Sequence, residues 1–186
     1  MKKIIIFLCF ISLMLETNSQ DFIKKSGGRI NLEKRDVLSL GIGLGQDYGG
    51  IGGNLIMYPQ QNIGIFTGVG YAIAGTGYNF GVKLRLINEK SSVAPYLIAM
   101  YGYNAALAVL NKSDLNKIFY GPTVGIGLDI GLKPNKAGYW SLGIYYPIRG
   151  NEVDNYINFL KTNYLLEMKN SLWPISISIG YKIKII

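Results

Sequence analysis

Apolar and polar residues alternate with a period of two along most of the chain, which is the strand period. Leu38, Leu40, Ile42 and Leu44 alternate with Ser39, Gly41, Gly43 and Gly45. Ile63 to Ala74, Tyr78 to Ile87, Tyr120 to Gly131 and Ile175 to Ile185 repeat the pattern. Weaker alternation over Ile51–Tyr58, Val93–Asn104 and Tyr139–Pro147 adds three further strands. In Val93–Asn104, Leu97, Ala99, Tyr101 and Tyr103 share a face, while Ile98 and Met100 blur the other. The pattern predicts an all-β domain of eight strands.

On every strand one face is aliphatic and free of charge. The opposite face carries Gly, Ser, Thr and Asn together with Lys83, Arg85, Asp129, Lys182 and Lys184. Glycine weakens a strand, so its concentration on the polar face needs a reason. An eight-stranded closed barrel supplies one, because its lumen is only just wide enough for side chains. The apolar face then points outward to lipid, and closure satisfies every backbone polar group. The pattern predicts an eight-stranded antiparallel up-and-down transmembrane β-barrel over residues 36–186. The five charges fall late in strands four, six and eight, which run the same way. They are expected to cluster in one half of the lumen, with a balance of +3, as a hydrated network or an anion site.

The chain opens with Lys2-Lys3, an apolar run from Ile4 to Leu15, and a polar Glu16-Thr17-Asn18-Ser19. This is the layout of a secretory signal peptide, too short to span a bilayer as a helix. Residues 1–19 are expected to be removed, leaving 20–35 as a periplasmic tail. Cys9 lies in the apolar run after Leu8, which argues against lipidation. With an even strand count and a periplasmic N-terminus, 46–50, 75–77, 105–117 and 148–173 become outer connections. Residues 59–62, 88–92 and 132–138 become periplasmic turns, and turn-forming residues fill them.

The last outer connection changes period. Val153, Tyr156, Ile157, Leu160 and Tyr164 recur at helical spacing, after Asn151 as a cap and with Glu152 and Asp154 in the first turn. A helix is expected from about Glu152 to Met168, either packed over the barrel mouth or presenting Tyr156, Ile157, Leu160 and Tyr164 to a partner. Extension of strands seven and eight is the alternative. Tyr78, Tyr101, Tyr103, Tyr120, Trp140, Tyr146 and Trp173 sit toward strand ends or loops, as aromatic residues do at membrane interfaces.

Composition then removes function classes. The 186 residues include 24 Gly, one Cys and no His, with a net charge of +8. Without His there is no His-dependent triad or His metal ligand, and one Cys forms no internal disulfide. No catalytic, cofactor-binding or metal residue is assigned. Gly41-Ile42-Gly43 is not followed by a third Gly in register, so it is not a dinucleotide fingerprint. The positive charge is not gathered on one accessible face, so no nucleic-acid partner is expected.

Glycine-punctuated strands such as Gly121-Pro122-Thr123-Val124-Gly125-Ile126-Gly127, Pro95-Tyr96-Leu97 leading to Tyr101-Gly102-Tyr103-Asn104, and an amphipathic last strand carry a family likeness. Over about residues 36–186 the chain resembles the small eight-stranded outer-membrane barrels, the OmpA/OmpX-like group, and especially the outer-membrane β-barrel domains common in Bacteroidota. The resemblance implies outer-membrane localisation in a Gram-negative cell, with outer-membrane lipid and the barrel assembly machinery as partners. Members commonly end in an aromatic residue used as an assembly signal, whereas this chain ends Lys184-Ile185-Ile186. Barrels of this size that are enzymes typically use His as a base, so a non-enzymatic role is expected. The leading expectation is a structural or interaction barrel acting through loops 105–117 and 148–173 on an unknown surface or periplasmic partner. A narrow small-solute or anion conduit and a soluble lipocalin-like ligand-binding barrel are the alternatives.

Overall fold

The computed structural model describes residues 36–87, 91–109, 112–133, 135–164 and 172–185. The expected signal peptide and tail lie outside the described residues, as do residues 165–168 at the expected end of the helix.

Eight antiparallel strands form one closed barrel: β1 (Leu38–Gly45), β2 (Gly50–Gln60), β3 (Ile63–Ala72), β4 (Gly75–Arg85), β5 (Val93–Leu107), β6 (Lys117–Ile130), β7 (Gly138–Pro147) and β8 (Ser176–Lys184). Each strand pairs with its sequence neighbours, and β1 closes on β8 with Ile42 opposite Tyr181 and Leu44 opposite Ile179. Closure leaves no open sheet edge. One helix, α1 (Asn151–Tyr164), stands between β7 and β8.

The alternation sorts the faces as expected. Ile42, Ile51, Val69, Ile126 and Ile177 are each more than half exposed, whereas Lys83, Arg85, Asp129 and Lys182 are at most 2% exposed. The residues that blurred the fifth strand turn inward. Ile98 and Met100 join Ile56, Tyr58, Phe66, Tyr96 and Tyr145 in an apolar layer inside the barrel. The lumen is therefore filled rather than lined.

Several connections differ from expectation: residues 75–77 belong to β4, so that Ile73 and Ala74 make the turn, and β2 runs on through Gln60. Residues 46–50 do not project from the mouth: Gln46–Tyr48 forms a 3₁₀ turn, and all three of its residues are buried. The turn closes through the Gly49 N–H, which donates to Gln46 O at 2.9 Å. Gly49 has φ 69°, a left-handed conformation that glycine accepts without cost.

Residues 105–117 are not all loop. β5 runs on to Leu107 and β6 starts at Lys117, with a short 3₁₀ turn at Ser113–Leu115 between them. The pairing shifts between Tyr103 and Ala105. That irregularity breaks the period of two and hides the strand extension in the sequence. Ala105 and Leu107 are buried above the barrel proper because α1 covers them.

α1 begins at Asn151, one residue before the expected start. It buries Val153 and Leu160, and Val153 meets Ala105, Leu107 and Phe119 of the extended β5–β6 hairpin. Tyr156 and Ile157 pack against the same cluster, and the Tyr156 hydroxyl donates to Leu115 O at 2.8 Å. Phe119 shares the inward row of β6 with Thr123 and Asp129, so the helix packs on the lumen side of the hairpin. Of the four residues considered for a partner surface, Leu160 is buried and Tyr156 and Ile157 are half-buried. Tyr164 is exposed, with its ring against Phe159. Val153, Tyr156 and Ile157, at i, i+3 and i+4, form the face that meets the hairpin.

Replacing both Val153 and Leu160 by Asp should cost about 2–5 kcal/mol per site in helix docking while leaving the barrel closed. Limited proteolysis should then cut within 151–164 faster than in the wild type, with the barrel fragment still resistant.

Candidate functional site: the barrel interior

The charged side chains form one layer at the end of the barrel where β1 begins. β4 ends there with Lys83 and Arg85 on its inward row, and β6 ends there with Asp129. Asp129 receives both cations, Lys83 Nζ at 2.8 Å on Oδ1 and Arg85 Nε at 2.8 Å on Oδ2. The guanidinium uses its other nitrogens too. Nη1 reaches Asp36 Oδ2 at 2.9 Å and Nη2 donates to the Tyr139 hydroxyl at 2.8 Å. Ser39 donates to the other oxygen of Asp36. Rings close the layer from the sides, with Lys83 Nζ 3.6 Å from the Tyr96 centroid and Arg85 Cζ 4.0 Å from that of Tyr58. These geometries offset part of the desolvation of buried charge.

Lys182 stands apart from this network. Its Nζ donates to Asn54 Oδ1 at 2.6 Å. Lys184 is at the rim, where its Nζ donates to Lys133 O at 2.6 Å. Of the five charges read from the sequence, three form one connected ion-pair network, Lys182 lies within the same lumen, and Lys184 leaves it for a turn.

Two acids were missed. Asp36, two residues before the first strand, enters the network through Arg85. Asp47, read as part of an outer loop, is 3% exposed and accepts a hydrogen bond from Ser178. With Lys184 outside and these two acids inside, the interior balance falls from +3 to zero. Neither was visible from strand alternation, because neither lies on a strand.

Asp47 enters the lumen with the Gln46–Tyr48 turn, which acts as a plug. Gln46 Nε2 donates to Asn104 O at 3.0 Å, and Gln46 Oε1 accepts from Ser176 at 2.9 Å. Asn79 donates to Gln46 O, and Asn54 Nδ2 donates to Asp47 O at 2.8 Å. Four strands, β2, β4, β5 and β8, thus hold Gln46 and Asp47 by hydrogen bonds. The glycine rows make the space. A Cβ on Gly43 would come within 2.8 Å of the Tyr48 ring, and one on Gly52 within 2.5 Å of Tyr48 O. Gly68, Gly70 and Gly180 meet the plug in the same way.

Chemically, this interior is suited to holding a rigid closed state. Among the described residues no three His, Cys, Asp or Glu side chains converge to hold a metal ion. No protein-family profile and no curated protein matches the sequence. Among solved structures, the chain is similar to the N-terminal β-barrel domain of Pseudomonas aeruginosa OprF. The identity is 8% and the TM-score 0.44, over 80% of this chain and 98% of that one.

Asp129→Ala leaves Lys83 without an ion pair and Arg85 with Asp36 alone, and should cost about 3–5 kcal/mol of barrel stability. Tyr48→Ala empties the plug and should cost about 3–5 kcal/mol. Urea unfolding of the detergent-folded barrel, followed by tryptophan fluorescence, reads both. Losses below about 1 kcal/mol would show that neither feature bears on stability.

Proposed function

We propose that the chain is a non-enzymatic, integral outer-membrane barrel with a structural or interaction role. It would present the β5–β6 hairpin and α1 above the membrane. The observation that carries this reading is the inverted polarity of a closed barrel. Its exterior is a continuous aliphatic surface, and its buried charges are inside. A water-soluble barrel would expose that surface at great cost, since contiguous apolar patches beyond a few hundred Å² are rare on soluble monomers.

Dimensions support the same reading. A ten-residue strand rising about 3.4 Å per residue and tilted by about 40° climbs about 25 Å, the height of the apolar band in such barrels. Aromatic residues flank the band on the outside. Toward the mouth lie Tyr71, Tyr78, Tyr101, Tyr120 and Tyr146, with Tyr78 and Tyr120 stacked at 4.7 Å between centroids. Toward the other end lie Trp140 and Tyr181, 5.2 Å apart edge to face. Such rings favour the headgroup level at both interfaces.

The conduit reading loses support from the plug and from the apolar layer beneath it, because both occupy the path. The lipocalin-like reading requires an apolar cavity inside and charge outside, which is the reverse of this arrangement.

Fractionation should recover the protein with the membrane, and unheated samples should migrate faster in gels than boiled ones. Ile42→Arg and Ile126→Arg, near the middle of the apolar band, should each cost about 2–4 kcal/mol of stability in a bilayer. Recovery in the soluble fraction, or tolerance of both arginines, would overturn the membrane reading. Planar-bilayer recordings should show no stable channel, and a reproducible unitary conductance would restore the conduit.

A further inference from the structure

Arg149 follows β7 at the mouth end of the outer wall. The ladder runs on as far as Ile148, whose N–H donates to Pro122 O at 2.9 Å. Arg149 Nη1 donates to Trp173 O at 2.7 Å, three residues before β8. The other edge of the guanidinium, Nε and Nη2, is left over. Nε is buried without a hydrogen-bond partner, and Nη2 makes no hydrogen bond among the described residues. The charge acts on Tyr103 and Tyr146, which both stand on outward rows, and on Asp154 of α1. Asp154 is exposed, and among the described residues no carboxylate pairs with Arg149 within 4 Å. Water therefore screens that acid.

An apolar groove of about 460 Å³ lies next to it on the outside of the barrel, across β5, β6 and β7. Leu97, Val124, Ile126, Ile144, Tyr146 and Ile175 line it, and none of them is charged. In the pairing of β6 with β7, Val124 faces Tyr146 and Ile126 faces Ile144, so the groove runs from the mouth toward the middle of the apolar band. Two lining residues tie it to Arg149. Tyr146 precedes Arg149 by three residues, at most about 11 Å of chain. Ile175 follows Trp173 by two, at most about 7 Å. Trp173 is 70% exposed. From the mouth inward, one column of the wall thus presents a guanidinium edge, an exposed indole and an apolar groove.

We propose that this column binds one lipid with a phosphate monoester headgroup, its phosphate on the Nε and Nη2 edge of Arg149 and an acyl chain in the groove. The planar edge of a guanidinium matches two oxygens of a phosphate, and such charge-assisted pairs are the strong ones. The order of the parts matches a lipid at an interface, with aromatic rings at the headgroup level and apolar surface beneath. The groove is within the range of roughly 300–1,000 Å³ typical of small-molecule sites. A lipid without phosphate would fill the groove but leave the guanidinium edge unpaired, and a free phosphate would leave the groove unused. The inference rests on the membrane reading, because it requires lipid at this face.

The chain's two tryptophans are Trp140 and Trp173, so Trp140→Phe leaves Trp173 as the reporter beside the site. That full-length protein is folded in non-ionic detergent, with folding verified by heat-modifiable migration. It is titrated with phosphatidic acid carrying brominated acyl chains, and separately with diacylglycerol carrying the same chains. Phosphatidic acid should quench Trp173 at a mole fraction about tenfold lower than diacylglycerol does. Arg149→Gln should abolish that difference, while Lys161→Gln, a cation elsewhere on α1, should preserve it. Free glycerol phosphate should not relieve the quenching. Equal quenching by the two lipids, an undiminished difference in Arg149→Gln, an equal loss in Lys161→Gln, or relief by glycerol phosphate would each overturn the proposal. If Arg149→Gln does not fold, the contrast between the two lipids with Arg149 in place decides. Recovery of the chain in the soluble fraction would instead remove the membrane reading, whereas a detergent-folded barrel quenched equally by both lipids removes the site alone.

Discussion

The narrowness of a closed eight-strand sheet governs the rest of this molecule. Its lumen holds about one layer of side chains across, so every inward position competes for the same space. A tyrosine on one strand requires a glycine on another. The pattern is explicit around Tyr48. The ring lies over Gly41, Gly43 and Gly180, and its backbone lies over Gly52 and Gly70. Lower down, Tyr145 fills the space at Gly125 and Gly143, and Tyr96 that at Gly127. Glycine abundance and tyrosine abundance are thus two sides of one packing solution.

The same enclosure sets the electrostatics. The exterior is apolar over the whole height of the strands, so strand charges must point inward. There they are desolvated and need partners. Arg85 meets this demand best, because its planar fork reaches Asp129, Asp36 and Tyr139 at once. Lys83 forms one ion pair and rests on the Tyr96 face. Lys184 avoids the problem by leaving the lumen. Charge position along each strand therefore decides how fully it is paired: the layer near the basal rim can recruit Asp36 from outside the sheet, while deeper positions depend on what the plug brings in.

The strand pattern was legible because lipid on one side and a filled lumen on the other give the period of two a strong amplitude. Leu38–Leu44 and Ile175–Ile185 could hardly be read otherwise. Legibility failed where that contrast failed. Ala105 and Leu107 have an apolar neighbour, α1, on what would be the polar side, so the extension of β5 looks like a loop. α1 itself was legible from its spacing, but the spacing does not say what its apolar face meets. The plug was hidden for a different reason. Gln46-Asp47-Tyr48-Gly49-Gly50 has the composition of an exposed turn, and polarity does not distinguish water from a hydrogen-bonding lumen. The available signal was indirect: glycines at 41, 43, 52, 68, 70 and 180 fall on neighbouring strands toward one end of the barrel, which marks a volume that something else must fill.

Why a turn rather than larger inward side chains should fill that volume follows from the seam. β1 and β8 meet only after the chain has gone around the barrel, and bringing such distant segments together carries the largest loop-closure cost in the fold. The plug is covalently continuous with β1, yet Gln46 and Asp47 bond to Ser176 and Ser178 on β8, 130 and 131 residues away. Side chains on β1 alone could reach β8, but they could not also hold Asn54, Asn79 and Asn104 on β2, β4 and β5. A folded turn does both. It fills the space that the glycines leave and ties the seam to the opposite wall, so lumen packing and barrel closure depend on the same three residues.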